Sequence, residues 1–78
     1  MSDELFERFR KTAADSLSKP VDEIKMEASF ADDLDADSLD LVQMVMDLEE
    51  EFDITVEEEE LEGITTVSQA FELVKSKL

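Results

Sequence analysis

The segment from Asp37 to Phe52 constrains the fold most, because apolar side chains cover more than half of its circumference when it is drawn as a helix. At about 100° per residue, these side chains fall on two adjoining arcs. The first arc comprises Leu41, Met44, Val45, Leu48 and Phe52, and the second comprises Leu39, Val42 and Met46. A surface helix shows a narrower apolar stripe, so the pattern predicts a central helix packed on two sides.

Three further segments carry helical signals. Apolar residues recur every four positions from Leu5 to Leu17, which predicts a helix from about residue 3 to residue 17 that ends before Pro20. The segment "VEEEELEGI" predicts a short helical turn that stops at Gly63, with Val56, Leu61 and Ile64 facing inward. Thr66 and Gln69 have capping-box spacing and predict the start of a last helix.

A long ordered loop is predicted between the first helix and the central one. Its apolar residues are expected to pin it against the core, and they are Val21, Ile24, Phe30 and Leu34. The central helix is predicted to begin at Asp37 or Ser38, with Asp37 as N-cap, and to run to about Glu51. The predicted fold is therefore all-α: a small bundle of three longer helices plus one short helix, with a long first loop, in a single domain over residues 1–78.

The charge balance excludes several classes of partner. Seven Lys and Arg residues stand against 23 Asp and Glu residues, giving a net charge of -16, and no basic residue occurs between Lys25 and Lys75. Nucleic acids and anionic membrane surfaces attract basic proteins, so neither is expected as a partner. Without cysteine, a disulfide or thiolate zinc site is impossible, and no apolar run approaches the length of a membrane span. We expect a soluble, cytoplasmic, monomeric protein.

Ser38 lies among four aspartates in "DLDADSLD", residues 33 to 40. A nucleophilic serine needs a neighbouring base, but the chain has no histidine and no lysine within a dozen residues of Ser38. No catalytic residue is predicted, and the protein is not expected to be an enzyme. From the residues alone, Ser38 remains either a modification site or an ordinary residue of the first helical turn.

The same segment partly matches a calcium-binding loop. Asp33, Asp35 and Asp37 occupy positions 1, 3 and 5 of an EF-hand pattern. Position 6 should be glycine and is Ser38, and position 12 should be glutamate and is Met44. These two departures leave weak, nonspecific binding of divalent cations as the most this loop offers, and no metal site is predicted.

The segment "FADDLDADSLDLVQMVMDLEEEFDI", followed by "GITTVSQAF", closely resembles the acyl carrier proteins of fatty acid synthesis. The resemblance extends over essentially the whole chain, and "DSLD", residues 37 to 40, is its most specific part. It implies that a phosphopantetheinyl transferase moves 4′-phosphopantetheine from coenzyme A onto Ser38. Acyl chains would then travel as thioesters on this arm between the enzymes of fatty acid synthesis, while the carrier itself catalyses nothing.

The resemblance also implies two surfaces. One is a partner-binding face for basic patches on those enzymes, formed by Asp37, Leu39, Asp40, Met46, Asp47, Glu50 and Glu51. The other is an acyl-chain pocket between the helices, lined by Phe30, Val42, Leu48, Val56, Leu61, Ile64, Ala70 and Phe71.

Four features depart from the pattern of this family, one of them being that "ITVEEEE" lacks the proline that often precedes the short third helix. Asp35 stands where glycine is usual, Gln43 where an acidic residue is common, and Asp47 where a small residue is common. Aspartate tolerates a left-handed backbone, so we expect the turn at Asp35 to survive and the docking surface to be altered. Two alternatives stay open: a carrier of polyketide, aminoacyl or D-alanyl cargo, and an acidic, cation-responsive interaction protein without a prosthetic group.

Overall fold

The computed structural model describes residues 2–78, which form four α-helices. In chain order these are α1 (Ser2–Leu17), α2 (Ser38–Phe52), α3 (Glu58–Glu62) and α4 (Val67–Lys77). A 3-10 turn at Val21–Glu23 interrupts the long first loop, and an isolated antiparallel bridge joins Ser29 to Thr66. The predicted all-α bundle of three longer helices and one short helix is confirmed. No helix within residues 2–78 has the length and apolar character needed to cross a membrane.

Side-chain caps explain where two of the helices begin. At the start of α2 the Asp40 N–H donates to Asp37 Oδ1 at 3.0 Å, and the Asp37 N–H donates to Asp40 Oδ2 at 3.2 Å. Thr66 and Gln69 form the equivalent reciprocal pair at the start of α4. These bonds satisfy N–H groups that have no partner inside the helix. Both predicted N-caps are confirmed, and α3 ends at Gly63 as predicted.

One hydrophobic core joins α1, α2, α4 and the first loop. The Phe71 ring of α4 lies 4.9 Å from the Phe6 ring and 5.4 Å from the Phe9 ring of α1, measured between centroids. The predicted loop anchors reach this core: Ile24, Phe30 and Leu34 are buried, and Val21 is half-buried against it. Backbone hydrogen bonds, including Phe30 N–H to Thr65 C=O at 3.0 Å, fasten the loop beside the start of α4.

Only one of the two apolar arcs of α2 faces the core. Met44, Val45, Leu48 and Phe52 are buried and Leu41 is half-buried, whereas Leu39, Val42 and Met46 are 79%, 41% and 53% exposed. The prediction of packing on two sides was therefore wrong. The second arc stays exposed because no further long helix within residues 2–78 covers it. The helix α3 has only five residues and lies beside Val42 across a cleft.

Two arginines of α1 join separate elements of the bundle. Arg8 donates to the Glu51 carboxylate at 2.8 and 3.0 Å and to the Glu51 carbonyl at 3.0 Å, which connects α1 to the end of α2. Arg10 donates to the carbonyls of Val21 and Ile24, both at 2.9 Å. The first loop is thereby held against α1 by a half-buried guanidinium group.

The turn before α2 uses a left-handed backbone. Asp35 has a φ of 52°, and Ser18 and Asp53 are the other non-glycine residues with positive φ among those described. The acyl carrier proteins that this chain resembles usually have glycine at this turn. Here aspartate adopts the left-handed conformation instead, as expected. Left-handed backbone brings Cβ close to a carbonyl oxygen, so Asp35 carries a conformational cost that glycine would not.

We predict that Asp35→Gly gives a more stable protein than Asp32→Gly, by about 1 kcal/mol, because only the first substitution relieves left-handed strain. Both variants lose one aspartate charge from the same loop and both gain unfolded-state entropy, so the pair isolates the backbone effect. Urea unfolding at equal ionic strength measures the difference. Equal midpoints for the two variants would show that the Asp35 turn is unstrained.

Candidate functional site

Ser38 is the first residue of α2 and is exposed to solvent. The Asp37–Asp40 capping box fixes the backbone on both sides of it, and the Leu41 N–H donates to the Asp37 carbonyl at 3.0 Å. The start of a 15-residue helix carries a partial positive charge. The Ser38 hydroxyl is therefore presented on a rigid turn where a phosphate group is electrostatically favoured by the helix, although the neighbouring carboxylates oppose it.

Two apolar-edged clefts meet at Ser38. The first, here called the α2–α3 cleft, has a volume of about 210 Å³ and is lined by Ser38, Leu41, Val42, Glu58, Leu61 and Glu62. The second, here called the loop cleft, has a volume of about 330 Å³ and is lined by Ser29, Phe30, Ala31, Ala36, Asp37, Ser38, Leu41, Ile64 and Thr65. Leu41 lies one helical turn after Ser38 and borders both clefts, so it separates them.

The eight residues predicted for an acyl-chain pocket lie in two different settings. Val42 and Leu61 line the α2–α3 cleft, and Phe30 and Ile64 line the loop cleft. The other four belong to the packed core or its edge: Leu48, Val56, Ala70 and Phe71. Sequence reasoning missed Leu41 as a lining residue, although its i+3 spacing from Ser38 placed both side chains on one helix face.

The exposed arc of α2 forms an apolar stripe of three residues, Leu39, Val42 and Met46. Their i, i+3, i+7 spacing aligns them along one side of the helix, starting directly after Ser38. The sequence prediction included Leu39 and Met46 in the partner-binding face but placed Val42 in the pocket. In the structure Val42 borders the α2–α3 cleft and is also 41% exposed, in line with Leu39 and Met46.

Four of the five acidic residues predicted for that face make contacts within the chain. Asp37 and Asp40 cap α2, Asp47 accepts hydrogen bonds from Ser16 and Gln43, and Glu51 pairs with Arg8. The fifth, Glu50, is exposed to solvent and lies two positions after the buried Leu48, which places it on the outer side of α2. In the structure Asp47 and Glu51 thus connect α2 to α1.

The aspartates before Ser38 do not converge on a common point. The Asp33 carboxylate accepts the Ser29 N–H at 2.7 Å and the Asp37 carboxylate accepts the Asp40 N–H at 3.0 Å. Within residues 2–78, no group of three acidic side chains is arranged to hold a metal ion. These carboxylates stabilise the loop and the helix start instead.

The helix α3, which forms one wall of the α2–α3 cleft, is tied to the end of α4. Lys77 Nζ donates to Glu60 Oε1 at 2.8 Å, and the Glu57 N–H donates to the same oxygen at 3.0 Å. The hydrogen bond from Lys77, together with that from the Glu57 backbone, holds the pKa of the Glu60 carboxyl below its ordinary value.

This arrangement fits a serine that another protein modifies. The hydroxyl is exposed, the chain contains no histidine to activate it, and apolar space begins on both sides of it. A 4′-phosphopantetheine group bound there would place its phosphate at the start of α2 and would supply a thiol, which a chain without cysteine lacks. The residues present therefore fit the group.

Comparisons with known proteins give the same result. A family model described as "Phosphopantetheine attachment site" matches residues 7–74. An acyl carrier protein of Petrotoga mobilis is 53% identical over 76 residues, covering 97% of this chain and 89% of the relative. Both matches extend over α2 and the two clefts. The cofactor predicted from the sequence, 4′-phosphopantetheine, is thereby confirmed.

We predict that Asp37→Ala lowers the free energy of unfolding by about 1 kcal/mol, because the Asp40 N–H loses its capping acceptor. Asp37→Asn removes the same charge but keeps a capping oxygen, so it should retain most of the stability. Thermal or urea unfolding compares the variants. If alanine and asparagine destabilise equally, the charge of Asp37 matters and its capping bond does not.

Proposed function

Because the chain belongs to the acyl carrier protein family, we propose that it carries growing acyl chains between the enzymes of fatty acid synthesis. The chains are held as thioesters on a 4′-phosphopantetheine arm attached to Ser38. The observation that carries this proposal is the position of Ser38, which is exposed at the start of α2 where two clefts meet. As a carrier, the protein presents a cargo and does not catalyse its conversion.

Attachment of the arm requires chemistry that this chain does not provide. The chain has no histidine, and the side chains flanking Ser38 in the helix turn are Asp37, Leu39 and Asp40. A phosphopantetheinyl transferase therefore supplies the base that removes the Ser38 proton. Once attached, the arm supplies a thiol whose thioesters activate the acyl carbonyl and acidify the adjacent carbon.

The apolar stripe and the acids beside it support a docking role for α2. Leu39, Val42 and Met46 provide a small exposed apolar contact, and Asp40 and Glu50 are exposed carboxylates on the same helix. Negative charge steers a basic enzyme patch toward the helix and increases the association rate, while a small apolar contact keeps the complex short-lived. A monomeric carrier in the cytoplasm can in this way exchange successive partners.

The two clefts support shelter for the acyl chain. The α2–α3 cleft has Leu41, Val42 and Leu61 along its walls, and the loop cleft has Phe30 and Ile64. Burying apolar chain atoms there is favourable, at about 0.8 kcal/mol for each CH₂ group removed from water. Both clefts begin at Ser38, so cargo can enter either one from the attachment point.

We predict that co-expression with a phosphopantetheinyl transferase raises the intact mass of the protein by one phosphopantetheine. Ser38→Ala should abolish this mass increase, because alanine has no hydroxyl group to which the arm can be attached. Intact-protein mass spectrometry measures both, with Ser76→Ala as a control, because Ser76 is an exposed serine at the far end of the chain from Ser38 in α4. An unmodified wild-type chain, with the transferase active on another carrier, would refute the carrier proposal and favour an interaction protein without a prosthetic group.

We also predict that Leu39→Ala lowers kcat/KM of the transferase about tenfold, the equivalent of about 1.4 kcal/mol of lost contact. Leu78→Ala is the matched control, because Leu78 is also exposed, at 64% against 79% for Leu39, but lies outside α2, after the end of α4. Neither substitution should change the unfolding midpoint. Equal kinetics for the two variants would exclude the stripe as a docking contact.

A further inference from the structure

The outer wall of the α2–α3 cleft makes few apolar contacts with the core. Glu58, Leu61 and Glu62 of α3 form this wall, and α3 contributes no fully buried residue. Leu61 is the apolar contact of α3 with the core, and it is only half-buried. A segment with few buried contacts opens locally at low cost, so other interactions decide how firmly this wall is closed.

The sequence of α3 opposes its own folding. The helix is "EEELE", and Glu57 directly precedes it. Five residues are too few for a helix to be stable alone, and glutamates three or four positions apart repel one another. The Glu57–Glu60 capping box satisfies backbone groups but adds no positive charge.

The cation that offsets this repulsion comes from the end of α4. Lys77 donates to Glu60 at 2.8 Å, and the two side chains are only 28% and 29% exposed. Each of the other ion pairs found in residues 2–78 has at least one partner that is more than half exposed. Both side chains of the Lys77–Glu60 pair are therefore partly shielded, although solvent and salt still screen the pair.

The neighbouring Lys75 makes no ion pair with α3. Lys75 also lies in the last turn of α4, but it pairs with Glu72 of its own helix at 3.7 Å and lies over the Phe71 ring. Both lysines have a favourable interaction with the C-terminal end of the helix dipole. Only Lys77 also reaches α3, so Lys77→Gln removes the contact with α3 and Lys75→Gln keeps it.

We infer that Lys77 is a positioning residue that latches α3 onto α4 and so controls how often the α2–α3 cleft opens to admit or release an acyl chain. This inference rests on the carrier function proposed above. The latch acts through Glu60, which places α3, and not through contact with the cargo. Releasing it lets α3 swing away from Val42 and exposes a sheltered chain to water.

The first test uses the unmodified protein and amide hydrogen exchange. Lys77→Gln should raise the exchange of residues 58–64 about fivefold at low salt, with little change in α1 and α2. Lys75→Gln should leave residues 58–64 at the wild-type rate, and Lys77→Arg should keep exchange slow. Equal exchange in Lys77→Gln and Lys75→Gln, or an increase spread evenly over all helices, would overturn the latch.

A double-mutant cycle identifies the partner. Glu60→Gln removes the charge but keeps a side-chain oxygen for the Glu57 N–H, so the capping bond can persist. Lys77→Gln should have little further effect on α3 exchange in a Glu60→Gln background. A full, additive effect would show that Lys77 acts elsewhere and would contradict the inference.

The second test measures shelter directly, on protein loaded with an octanoyl-phosphopantetheine arm. Hydroxylamine should cleave the thioester about fivefold faster in Lys77→Gln than in Lys75→Gln, and about 1 M NaCl should reduce this ratio. Equal cleavage rates would mean that the Lys77 latch does not control how far the thioester is protected from solvent, and would overturn the inference. Failure of Ser38 to accept the arm would instead refute the carrier function, while the exchange test on unmodified protein would still decide whether the latch exists.

Discussion

The excess of carboxylates over cations is the constraint on which the tertiary structure depends. With 23 acidic and seven basic residues, elements brought together by the core also bring like charges together. Arg8, Arg10 and Lys77 are placed where they join elements: α1 to α2, α1 to the first loop, and α4 to α3. Arg8 adds contact with the Phe52 ring, 4.8 Å from its centroid. A few cations therefore stabilise the arrangement of a bundle whose remaining charge is left on the surface.

The helix α2 has one apolar face in the core and a second apolar face exposed to solvent. Its inward arc, from Met44 to Phe52, fixes the helix in the bundle, and its outward stripe of Leu39, Val42 and Met46 remains exposed. Ser38 begins the helix at the boundary between the two. A rigid inner face thus orients the proposed attachment point and the stripe together, so a partner that contacted the stripe would find the serine at a fixed position.

Local signals in the sequence were sufficient to predict the α-helices and the N-caps of α2 and α4. Asp37 with Asp40, and Thr66 with Gln69, are three positions apart, and their hydrogen bonds form as soon as the helix turns. The apolar spacing likewise predicted the core. The exposure of Leu39 and Met46 could not be predicted in the same way, because a helical wheel records polarity but not how many neighbours the chain supplies.

Contacts between residues far apart in the chain could not be predicted from the sequence pattern either. Arg8 and Glu51 are 43 positions apart, and Lys77 and Glu60 are 17 apart. With 23 possible acidic partners for each cation, only the packed fold decides which pair meets. The consequence is greatest at α3, where a helix of low intrinsic stability borders the site and one lysine holds it. The proposed function requires a cleft that both shelters a chain and releases it, and such an element suits both tasks, because a wall fixed by extensive apolar packing would open too rarely.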